Sequence, residues 1–572
     1  MKNLEVANLL YEIADILEIQ DVAFKPQAYR KAARTVETLS EDIEKVSKQG
    51  KLEELPGIGE HIAKKIIEFL ETGKLKYYDE IKKQIPKHLS DLISVPGMGP
   101  KRAKILHDKL KISSIADLEK AAKQGKISKL FGFGEKSEED ILKGIELVKR
   151  GQARMLLGIA LPLALEIEER LKKLNEVLQI NVAGSLRRRQ ETIGDIDILV
   201  STKKPGVVVD YFTKMPEVVR VLAKGETKSS ILLKNNIQID LRVIDDKVYG
   251  AALQYFTGNK DHNIKTREIA IKKGYKLSEY GLFDKKTNML LASKTEEEIY
   301  KKLGMQCPPP EIRENRGEIE AALKNKLPKL IGYNDIKGDF HSHTKATDGT
   351  NSIEELAEAA KKLGYEYFCI SDHSQNARIA RGLSEEDMAS HLKEIKAYAK
   401  KLKNFRLLAG SEVDILKNGD LDYPDKLLKQ MDIVIGAVHS GFKSSMEEMT
   451  NRILKAMDNE NLDILAHPTG RLINAREPYE VDLQKVFKKA AEKNIYLEID
   501  ALPQRLDLKD IHIKAAKEFG VKFVIDTDTH SLETLKYMDL GIATARRGWC
   551  EKKDIVNTCS AKELGKFFKK IR

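Results

Sequence analysis

The chain has 572 residues, of which 41% are hydrophobic and 33% charged, and its formal net charge is +11. This length exceeds what one hydrophobic core organises, so several domains are expected, and the positive charge fits either a polyanionic partner such as nucleic acid or a lysine-rich solubilising surface. The four cysteines form no C-x-x-C pair, which argues against a disulfide framework or a thiolate zinc ribbon and indicates a reducing compartment.

The beginning of the chain, MKNLE, lacks the apolar stretch and cleavage site of a signal peptide. No later segment has the roughly 20 consecutive apolar residues that a membrane helix needs. A cytoplasmic or nucleoid-associated protein without a membrane partner is therefore expected.

Residues 1 to about 150 are predicted to form short amphipathic helices separated by glycine-containing turns. Three turns share one frame, in which an apolar residue stands between two glycines and a helix follows: LPGIG at 55–59, VPGMG at 95–99 and LFGFG at 130–134. Two glycines let such a turn bring backbone N–H groups and a helix N-terminus close to a phosphate. The repeat is the helix-hairpin-helix pattern, which contacts the DNA backbone without reading bases. It predicts DNA binding through Gly57, Gly59, Gly97, Gly99, Gly132 and Gly134.

The next segment places acidic side chains in strand-forming sequence. Asp195 and Asp197 stand two residues apart beside the apolar run 196–200, and side chains at positions i and i+2 of a strand point to the same face. A lone pair of this kind is more often an exposed strand edge. Asp240, however, stands in a second apolar run, 237–241, where an unpaired carboxylate would be costly. Three carboxylates can hold two magnesium ions about 3.5–4 Å apart, so a metal site is expected.

A glycine-serine turn precedes these carboxylates. Gly184 and Ser185 are followed by arginines, whose guanidinium groups suit a triphosphate. The order GS at 184–185, GDID at 194–197 and then Asp240 resembles the palm of family X DNA polymerases, within the nucleotidyltransferase superfamily. The resemblance covers about residues 1–315. It implies that Ser185 and Arg188 hold the triphosphate, that Mg²⁺ or Mn²⁺ binds the three aspartates, and that Asp240 helps to deprotonate or orient the primer 3′-hydroxyl.

Two further stretches support this family over its relatives. The YFTG segment, with Tyr255, Phe256 and Gly258, resembles the motif that packs on the incoming sugar and disfavours a ribose 2′-hydroxyl. Asn263 and Arg267 fall at the spacing of the family's minor-groove contacts. The resemblance thus implies deoxynucleotide selection by residues that follow the palm.

The N-terminal segment resembles the small lyase-type domain of the same family, through AYRKA at 28–32 and IAKKI at 62–66. Lys65 aligns with the Schiff-base lysine of the lyase members, and a lysine can act as that nucleophile if its neighbours depress its pKa. Lys25 and Tyr29 match accompanying positions. His61 stands where the polymerase beta type carries a lysine, which weakens the expected 5′-phosphate pocket. Simple phosphate contact by a lysine-rich helix is the alternative.

From residue 335 onward, short apolar strands alternate with helical segments, which is a βα signature. Histidines and acidic residues recur at or just beyond the ends of these strands, and a strand at 495–499 brings the expected number to seven. In a βα barrel that rim carries the active site. The predicted metal ligands are His341, His343, Asp348, His373, Glu412, His439, His467, Asp528 and His530.

Imidazole and carboxylate together suit zinc, manganese or iron, and this many ligands suffice for two or three ions. The H-x-H start and the later SDH, VHS, AHP and D-x-H elements resemble the PHP (polymerase and histidinol phosphatase) domain. Asp500 departs from the pattern, since many relatives carry Asn there, but it replaces no ligand. The full ligand set implies an active phosphoesterase and not a structural PHP domain.

These features predict a multidomain fold with an α-helical helix-hairpin-helix region, an α+β nucleotidyltransferase palm and thumb, and a C-terminal distorted (β/α)7 PHP barrel. The expected divisions, by residue number, are 1–85 for a lyase-like DNA-binding domain, 86–149 for a helix-hairpin-helix fingers-type domain, 150–247 for the palm, 248–315 for a thumb-type nucleotide-selection domain, 316–334 for a linker and 335–572 for the PHP domain.

The order of these parts resembles that of the bacterial and archaeal members of family X. It implies a monomeric, template-directed DNA polymerase that fills short gaps in base excision repair, with gapped or primer–template DNA and dNTPs as its partners. It also implies a 3′–5′ exonuclease in the PHP domain, with AP endonuclease or 3′-phosphatase activity. Two alternatives are a small-phosphate hydrolase of histidinol-phosphatase type and a non-catalytic DNA-gap scaffold.

Overall fold

The computed structural model describes residues 2–20, 22, 24–37, 43–55, 57–83, 92–93, 95, 98–130, 132–233 and 237–571. The N-terminal part is helical and contains two separate hydrophobic cores, one around Leu10, Ile13 and Val36 and one around Leu106 and Leu118. Its α-helices are Lys2–Ile19, Lys25–Glu37, Ile43–Lys48, Glu60–Thr72, Lys76–Lys83, Pro100–Leu110, Ile115–Lys123 and Glu135–Ala153, and a 3₁₀ turn spans Leu52–Glu54.

The following part is built on a five-stranded mixed sheet with the strand order β2-β4-β7-β6-β5. Strands β4 and β7 are parallel neighbours, whereas the other pairs are antiparallel. A short antiparallel pair, β1 with β3, lies outside this sheet. The strands are β1 (Met155–Leu156), β2 (Val177–Val182), β3 (Thr192–Ile193), β4 (Ile196–Thr202), β5 (Val218–Lys224), β6 (Lys228–Leu233) and β7 (Gln238–Ile244), and the helices are Leu157–Lys172, Gly184–Arg187 and Pro205–Thr213.

Residues 246–323 form a smaller α+β unit with its own core, which includes Tyr300, Leu303 and Ile319. Three antiparallel strands, β8 (Tyr275–Ser278), β9 (Gly281–Asp284) and β10 (Leu290–Ala292), make its sheet in the order β10-β9-β8. The α-helices are Tyr249–Thr257, Lys260–Lys272, Glu296–Lys302 and Glu318–Leu323, with 3₁₀ turns at Asp246–Val248 and Pro310–Ile312.

The C-terminal part is a seven-stranded parallel sheet whose strands pair in chain order. A bridge between Ser342 and Thr529 brings its two edges together, so the sheet forms a nearly closed barrel. Strands β12, β14, β16 and β17 are buried along their whole length, as expected for a sheet covered on both faces. The strands are β11 (Gly338–Asp339), β12 (Tyr367–Ile370), β13 (Arg406–Asp414), β14 (Ile433–Ala437), β15 (Ile464–Leu465), β16 (Tyr496–Asp500) and β17 (Phe523–Asp526).

Helices surround this barrel, and several begin at serine N-caps that satisfy the free N–H groups of their first turns, such as Ser352 and Ser445 with complete capping boxes. The seven strands in chain order, with helices around them, confirm the predicted distorted (β/α)7 barrel. The α-helices are Ile353–Lys362, Glu385–Ala399, Asp425–Leu428, Met446–Ala456, Leu483–Lys493, Asp510–Glu518 and Met538–Arg547, and the 3₁₀ turns are Arg378–Ala380, Leu532–Tyr537, Lys552–Asp554, Val556–Thr558 and Leu564–Lys566.

The barrel packs directly on the five-stranded part. Leu506 and Leu540 of the barrel belong to the hydrophobic core that also holds Leu157 and Phe212. The segment 316–334, predicted to be a linker, contains the helix Glu318–Leu323 and is fixed to the barrel by a hydrogen bond from the Ile331 N–H to the Cys550 carbonyl. In the part of the chain that the structure describes, no helix has the length and apolar character needed to cross a bilayer.

Candidate metal centres in the palm and the barrel

The first candidate centre lies where the parallel strands β4 and β7 run side by side. Asp197 and Asp240 are register partners on these strands, and Asp195 stands immediately before β4. Asp240 is buried and Asp195 is exposed, so the group opens from the sheet to the surface. The structure thus brings the three predicted carboxylates together at one end of the sheet.

The surrounding protein balances the charges of this acidic group only in part. Burial, and then the negative charges of Asp195 and Asp240, raise the pKa of Asp197 to about 7. Asp240 has its own partners: the Lys228 ammonium lies 2.8 Å from Oδ2, and the Gln238 amide donates to Oδ1 at 2.9 Å. Burial opposes ionisation of Asp240, but these contacts outweigh it and lower its pKa. Divalent cations would relieve the repulsion between these carboxylates, so the residues fit a magnesium or manganese site.

The glycine-serine turn abuts these carboxylates. Gly184 has φ +59°, and a Cβ there would lie 2.3 Å from Oδ2 of Asp197, so both the backbone conformation and the close approach require glycine. Ser185 lies in the short helix Gly184–Arg187. Arg188 is engaged by the unit that follows the palm: its Nε donates to Glu314 at 2.9 Å and its Nη1 donates to the Thr257 carbonyl at 2.5 Å.

The predicted nucleotide-selection residues follow on the helices Tyr249–Thr257 and Lys260–Lys272. Tyr255 and Phe256 make an edge-to-face contact with ring centroids 5.2 Å apart, and Gly258 ends the first helix with φ +68°. Asn263 accepts a hydrogen bond from the Gln254 amide and donates to the Tyr255 carbonyl, both at 2.8 Å. The side chain of Arg267 is exposed.

One residue beside this site is not predicted from the sequence. Arg242 stands two positions after Asp240 on β7, and its guanidinium lies 4.6 Å from the centre of the Phe256 ring. Its positive charge acts to lower the pKa of Asp197. The period-2 spacing from Asp240 is the available sequence signal, because it places Arg242 on the face that carries the carboxylates.

The second candidate centre lies at the C-terminal end of the barrel strands, as predicted. Glu412 lies within β13, and the other ligands follow the strands β11, β12, β14, β15 and β17. Possible ligand atoms cluster within 4.8 Å of one another in three overlapping groups. The groups are His343, Asp348, His373 and His530; His341, His343 and Asp528; and His373, Glu412 and His439. His467 is in none of these groups, but its Nε2 lies 2.9 Å from Oε1 of Glu412.

Several buried ligand atoms that face one another across this cluster form no hydrogen bond. They include Nε2 of His341, Nδ1 of His373 and Oε2 of Glu412. The carboxylate Oε2 lies 2.8 Å from Nδ1 of His373 and 3.4 Å from Nε2 of His341. Buried polar atoms without hydrogen bonds are costly, and lone pairs that converge in this way are satisfied by a shared cation. The donor set of imidazole and carboxylate therefore fits two or three ions of zinc, manganese or iron.

A second layer of carboxylates orients the ligands. Glu498 Oε1 lies 2.6 Å from Nδ1 of His341, and Asp414 Oδ1 lies 2.5 Å from Nδ1 of His439. Such contacts fix the ring orientation and leave the opposite nitrogen for the metal. Burial acts to lower the pKa of His341, but the charges of Glu498 and Glu412 outweigh it and raise that pKa. The sequence does not single out Glu498, since it stands inside an apolar strand away from any histidine.

Asp500, which stands where many PHP relatives carry Asn, has partners of its own in the barrel. Its Oδ1 accepts a hydrogen bond from the Leu502 N–H at 2.7 Å, and its Oδ2 lies 3.2 Å from Nε of Arg505. The Arg505 Nε also lies 3.5 Å from Oδ2 of Asp528. Asp500 therefore places a guanidinium in the wall of the cavity, about 460 Å³ in volume, that His373, Glu412 and their neighbours line.

The third predicted site lies in the N-terminal helices. Lys65 lines a cavity of about 500 Å³ together with Lys25, Tyr29, His61 and other residues. Its ammonium lies 4.6 Å from the centre of the Tyr77 ring. Burial, and then the charge of Lys25, lower the pKa of Lys65. The predicted lysine and its two accompanying residues thus share one cavity.

The glycines of the repeat lie at helix starts. Gly59 and Gly99 are the N-cap residues of the helices Glu60–Thr72 and Pro100–Leu110, and Gly134 immediately precedes Glu135–Ala153. Gly57 and Gly132 have φ +84° and +85°, which favours glycine. Gly97 lies outside the described residues.

A helical region with glycine hairpins, a palm with three clustered carboxylates and a barrel lined by metal ligands define a class: DNA polymerases of the beta type joined to a PHP domain. Family models match accordingly. They are a helix-hairpin-helix domain at residues 1–75, a SAM-like helix-hairpin-helix tandem at 89–146, the DNA polymerase beta palm at 162–265, the DNA polymerase beta thumb at 252–314 and the PHP domain at 339–501.

Relatives extend this match to the whole chain. The chain is 39% identical over 573 residues to the DNA polymerase/3′-5′ exonuclease PolX of Bacillus subtilis (strain 168), with 100% of both chains covered. It therefore belongs to the family X DNA polymerases that carry a C-terminal PHP domain. It is also 31% identical over 203 residues to a probable phosphatase of Thermoanaerobacter sp. (strain X514), covering 34% of this chain and 78% of the relative. A probable phosphatase of Clostridium novyi (strain NT) is 27% identical over 215 residues, covering 35% of this chain and 82% of the relative.

Proposed function

We propose that this chain is a template-directed DNA polymerase whose PHP domain degrades DNA from the 3′ end. The observation that carries the polymerase part is the register pairing of Asp197 with Asp240 on parallel strands, with Asp195 at the start of the first. The Bacillus subtilis relative, a DNA polymerase/3′-5′ exonuclease that matches along the whole chain, supports both activities.

In the palm, Asp195, Asp197 and Asp240 hold the cations and Asp240 orients the primer 3′-hydroxyl. Bound Mg²⁺ or Mn²⁺ would supply Lewis acidity for phosphoryl transfer. Because Lys228 and Gln238 keep Asp240 ionised and fixed, that carboxylate is preorganised for its role.

Nucleotide binding uses the turn and the helices beside it. Ser185 and Arg188 bind the triphosphate, and Tyr255, Phe256 and Gly258 pack on the sugar and exclude a 2′-hydroxyl. Asn263 and Arg267 contact the minor groove. Since Arg188 is paired with Glu314, and Asn263 with Gln254, the arrival of nucleotide and DNA exchanges these internal contacts for substrate contacts.

In the barrel, His341, His343, Asp348, His373, Glu412, His439, His467, Asp528 and His530 hold two or three Zn²⁺, Mn²⁺ or Fe²⁺ ions. These ions supply Lewis acidity for phosphodiester hydrolysis. Arg505 lines the same cavity and offers a cation to the scissile phosphate. We propose a 3′–5′ exonuclease, with AP endonuclease and 3′-phosphatase activities at the same centre.

The N-terminal cavity supports a role in base excision repair. We propose that Lys65 forms a Schiff base with a 5′-deoxyribose phosphate, since its depressed pKa provides free amine, and that the hairpin glycines hold the backbone of gapped DNA. The substrates are then gapped or primer–template DNA and dNTPs. We expect a monomer that acts in the cytoplasm.

A small-phosphate hydrolase is the competing function, because the probable phosphatases match about a third of the chain. It would leave the palm carboxylates and the Lys65 cavity without a role. A substrate of DNA length accounts for all three sites together.

The deciding experiment compares Asp195→Ala and His341→Ala on gapped DNA with a labelled primer, each variant serving as the control for the other. Asp195→Ala should lose primer extension and keep 3′ degradation, and His341→Ala should do the reverse. Extension by Asp195→Ala or full degradation by His341→Ala would overturn the corresponding assignment. Hydrolysis of histidinol phosphate without action on DNA would favour the competing function.

A further inference from the structure

Arg188, the proposed triphosphate ligand, is connected to the PHP barrel through one buried arginine. Arg547 ends the barrel helix Met538–Arg547, and its Nη1 donates to the Arg188 backbone carbonyl at 2.7 Å and contacts Oε1 of Glu314 at 3.1 Å. Its Nη2 donates to Asp510 of the barrel at 2.6 Å. One guanidinium therefore touches the turn that begins at Gly184, the α+β unit of residues 246–323 (the thumb-type unit) and the barrel.

This contact is shielded from solvent. The exposed fractions of the side chains are 4% for Arg547, 8% for Glu314 and 11% for Arg188. Two guanidinium groups share one carboxylate in this enclosed space, and Glu314 also accepts from Gln190 and Asn259. Shielded charges interact more strongly than charges on the surface, so a change at one member alters the others.

The interface around the contact is fixed on both sides. Leu506 and Leu540 of the barrel are packed into the palm core, and Arg471 of the barrel pairs with Glu191 of the palm at 2.9 Å. The barrel therefore holds Arg547 at a set position relative to the turn that begins at Gly184.

Arg547 and Arg188 both contact Oε1 of Glu314, so the two guanidinium groups compete for one carboxylate. While Arg547 takes part of the Glu314 charge, Arg188 is only partly neutralised and can exchange Glu314 for a triphosphate. Without Arg547, the full Glu314 charge falls on Arg188, and the Arg188 carbonyl loses its buried donor. Both changes oppose nucleotide binding, the first by competition and the second by loosening the turn.

We propose that Arg547 is a positioning residue through which the PHP barrel sets the affinity of the palm for the incoming nucleoside triphosphate. This inference rests on the proposed polymerase function. It assigns the barrel a second role, in nucleotide binding, that is separate from its metal centre.

The test uses full-length Arg547→Ala and Arg547→Lys, with Arg546→Ala as the matched control. Arg546 is on the same helix and crosses the same interface to Glu311 at 2.8 Å. It also donates to the Ile331 carbonyl at 2.6 Å, but it makes no contact with Arg188 or Glu314 in the described residues. Single-nucleotide insertion gives KM and kcat for the dNTP. Binding of the same dNTP to a complex with a dideoxy-terminated primer gives its affinity without chemistry.

Arg547→Ala should raise KM and the dissociation constant for the dNTP by about tenfold while kcat changes little, a size typical of coupling between sites. Arg547→Lys keeps the charge but lacks a fork that reaches Asp510, Glu314 and the Arg188 carbonyl at once, so a smaller rise is expected. If Arg547→Ala does not fold, the comparison of Arg547→Lys with Arg546→Ala decides the test. Arg546→Ala should leave both quantities unchanged.

The inference is overturned if KM and the dissociation constant in the folded Arg547 variants match those of Arg546→Ala, even with a lower melting temperature. It is also overturned if only kcat falls. Failure of the wild-type chain to extend any primer would instead contradict the proposed polymerase function, so the two failures are distinguishable.

Discussion

Glu498 and His341 are paired across the barrel, with Oε1 of Glu498 2.6 Å from Nδ1 of His341. The other carboxylate oxygen of Glu498 accepts a hydrogen bond from the His467 N–H at 2.6 Å. One carboxylate that is buried in β16 thus orients two proposed ligands that come from different strands. It contributes no atom to the three ligand groups, so its effect on metal binding is indirect.

Glu498→Gln should lower metal affinity at the barrel by about tenfold to a hundredfold, the usual effect of losing an outer carboxylate. The amide cannot accept from both the His341 ring and the His467 N–H, so one donor loses its partner. Metal retained after dialysis, measured by inductively coupled plasma mass spectrometry, checks this. Glu492→Gln, an exposed position on the helix Leu483–Lys493, is the control. Equal metal content in the two variants would contradict the role of Glu498.

Gly184→Ala should reduce primer extension by about a hundredfold, because a displacement of about 1 Å at a reacting centre has an effect of that order. The new Cβ would lie 2.3 Å from Oδ2 of Asp197, at a backbone φ of +59° that alanine resists. Steady-state extension on gapped DNA measures the loss, with 3′ degradation as an internal reference that should be unaffected. Gly206→Ala, where a Cβ meets no atom within 4 Å, is the matched control. Comparable extension by the two variants would contradict the requirement for glycine.

Glu296→Gln should destabilise the thumb-type unit by about 3–5 kcal/mol, as expected when one member of a buried ion pair is removed. Glu296 accepts two hydrogen bonds from Arg187, at 2.9 and 2.7 Å, and one from Arg313 at 2.5 Å. Burial opposes its ionisation, but the Arg313 and Arg187 charges outweigh this and lower the pKa of Glu296 to about 2. The exposed neighbour Glu297 provides the control, Glu297→Gln.

The stability difference between wild type and Glu296→Gln should become smaller as the pH falls. A carboxylate whose folded-state pKa is lowered contributes stability above its unfolded value, here 4.5, and loses it as the pH falls toward about 2. The gap in melting temperature between wild type and Glu296→Gln should therefore be constant from pH 7 to about pH 5 and shrink below that. Calorimetric scans across this range measure the gap, and a gap that widened on acidification would contradict the pairing.

The sequence predicts the fold and the candidate ligands because each candidate barrel ligand stands at or near a strand end, where chain order alone implies a common rim. The palm carboxylates are predictable for a similar reason, since their two-residue spacing beside one strand-forming run indicates a common face for Asp195 and Asp197. Arg242 and Glu498 lie inside strands whose neighbours are known only after folding. Arg547 contacts Glu314 although the two are 233 residues apart in the chain, and no local sequence pattern predicts a contact over that separation.

Lys65→Ala should abolish borohydride trapping of the protein on DNA with a 5′-deoxyribose phosphate, whereas Lys64→Ala should be trapped like wild type. Burial and the Lys25 charge lower the pKa of Lys65, so a larger fraction of free amine is present at neutral pH to form the imine that borohydride reduces. Lys64 is a stringent control, because it is on the same helix but exposed and paired with Glu60 at 2.6 Å. Trapping that persists in Lys65→Ala would contradict the assignment of Lys65 as the Schiff-base lysine. No trapping of wild type would leave the cavity with phosphate contact alone.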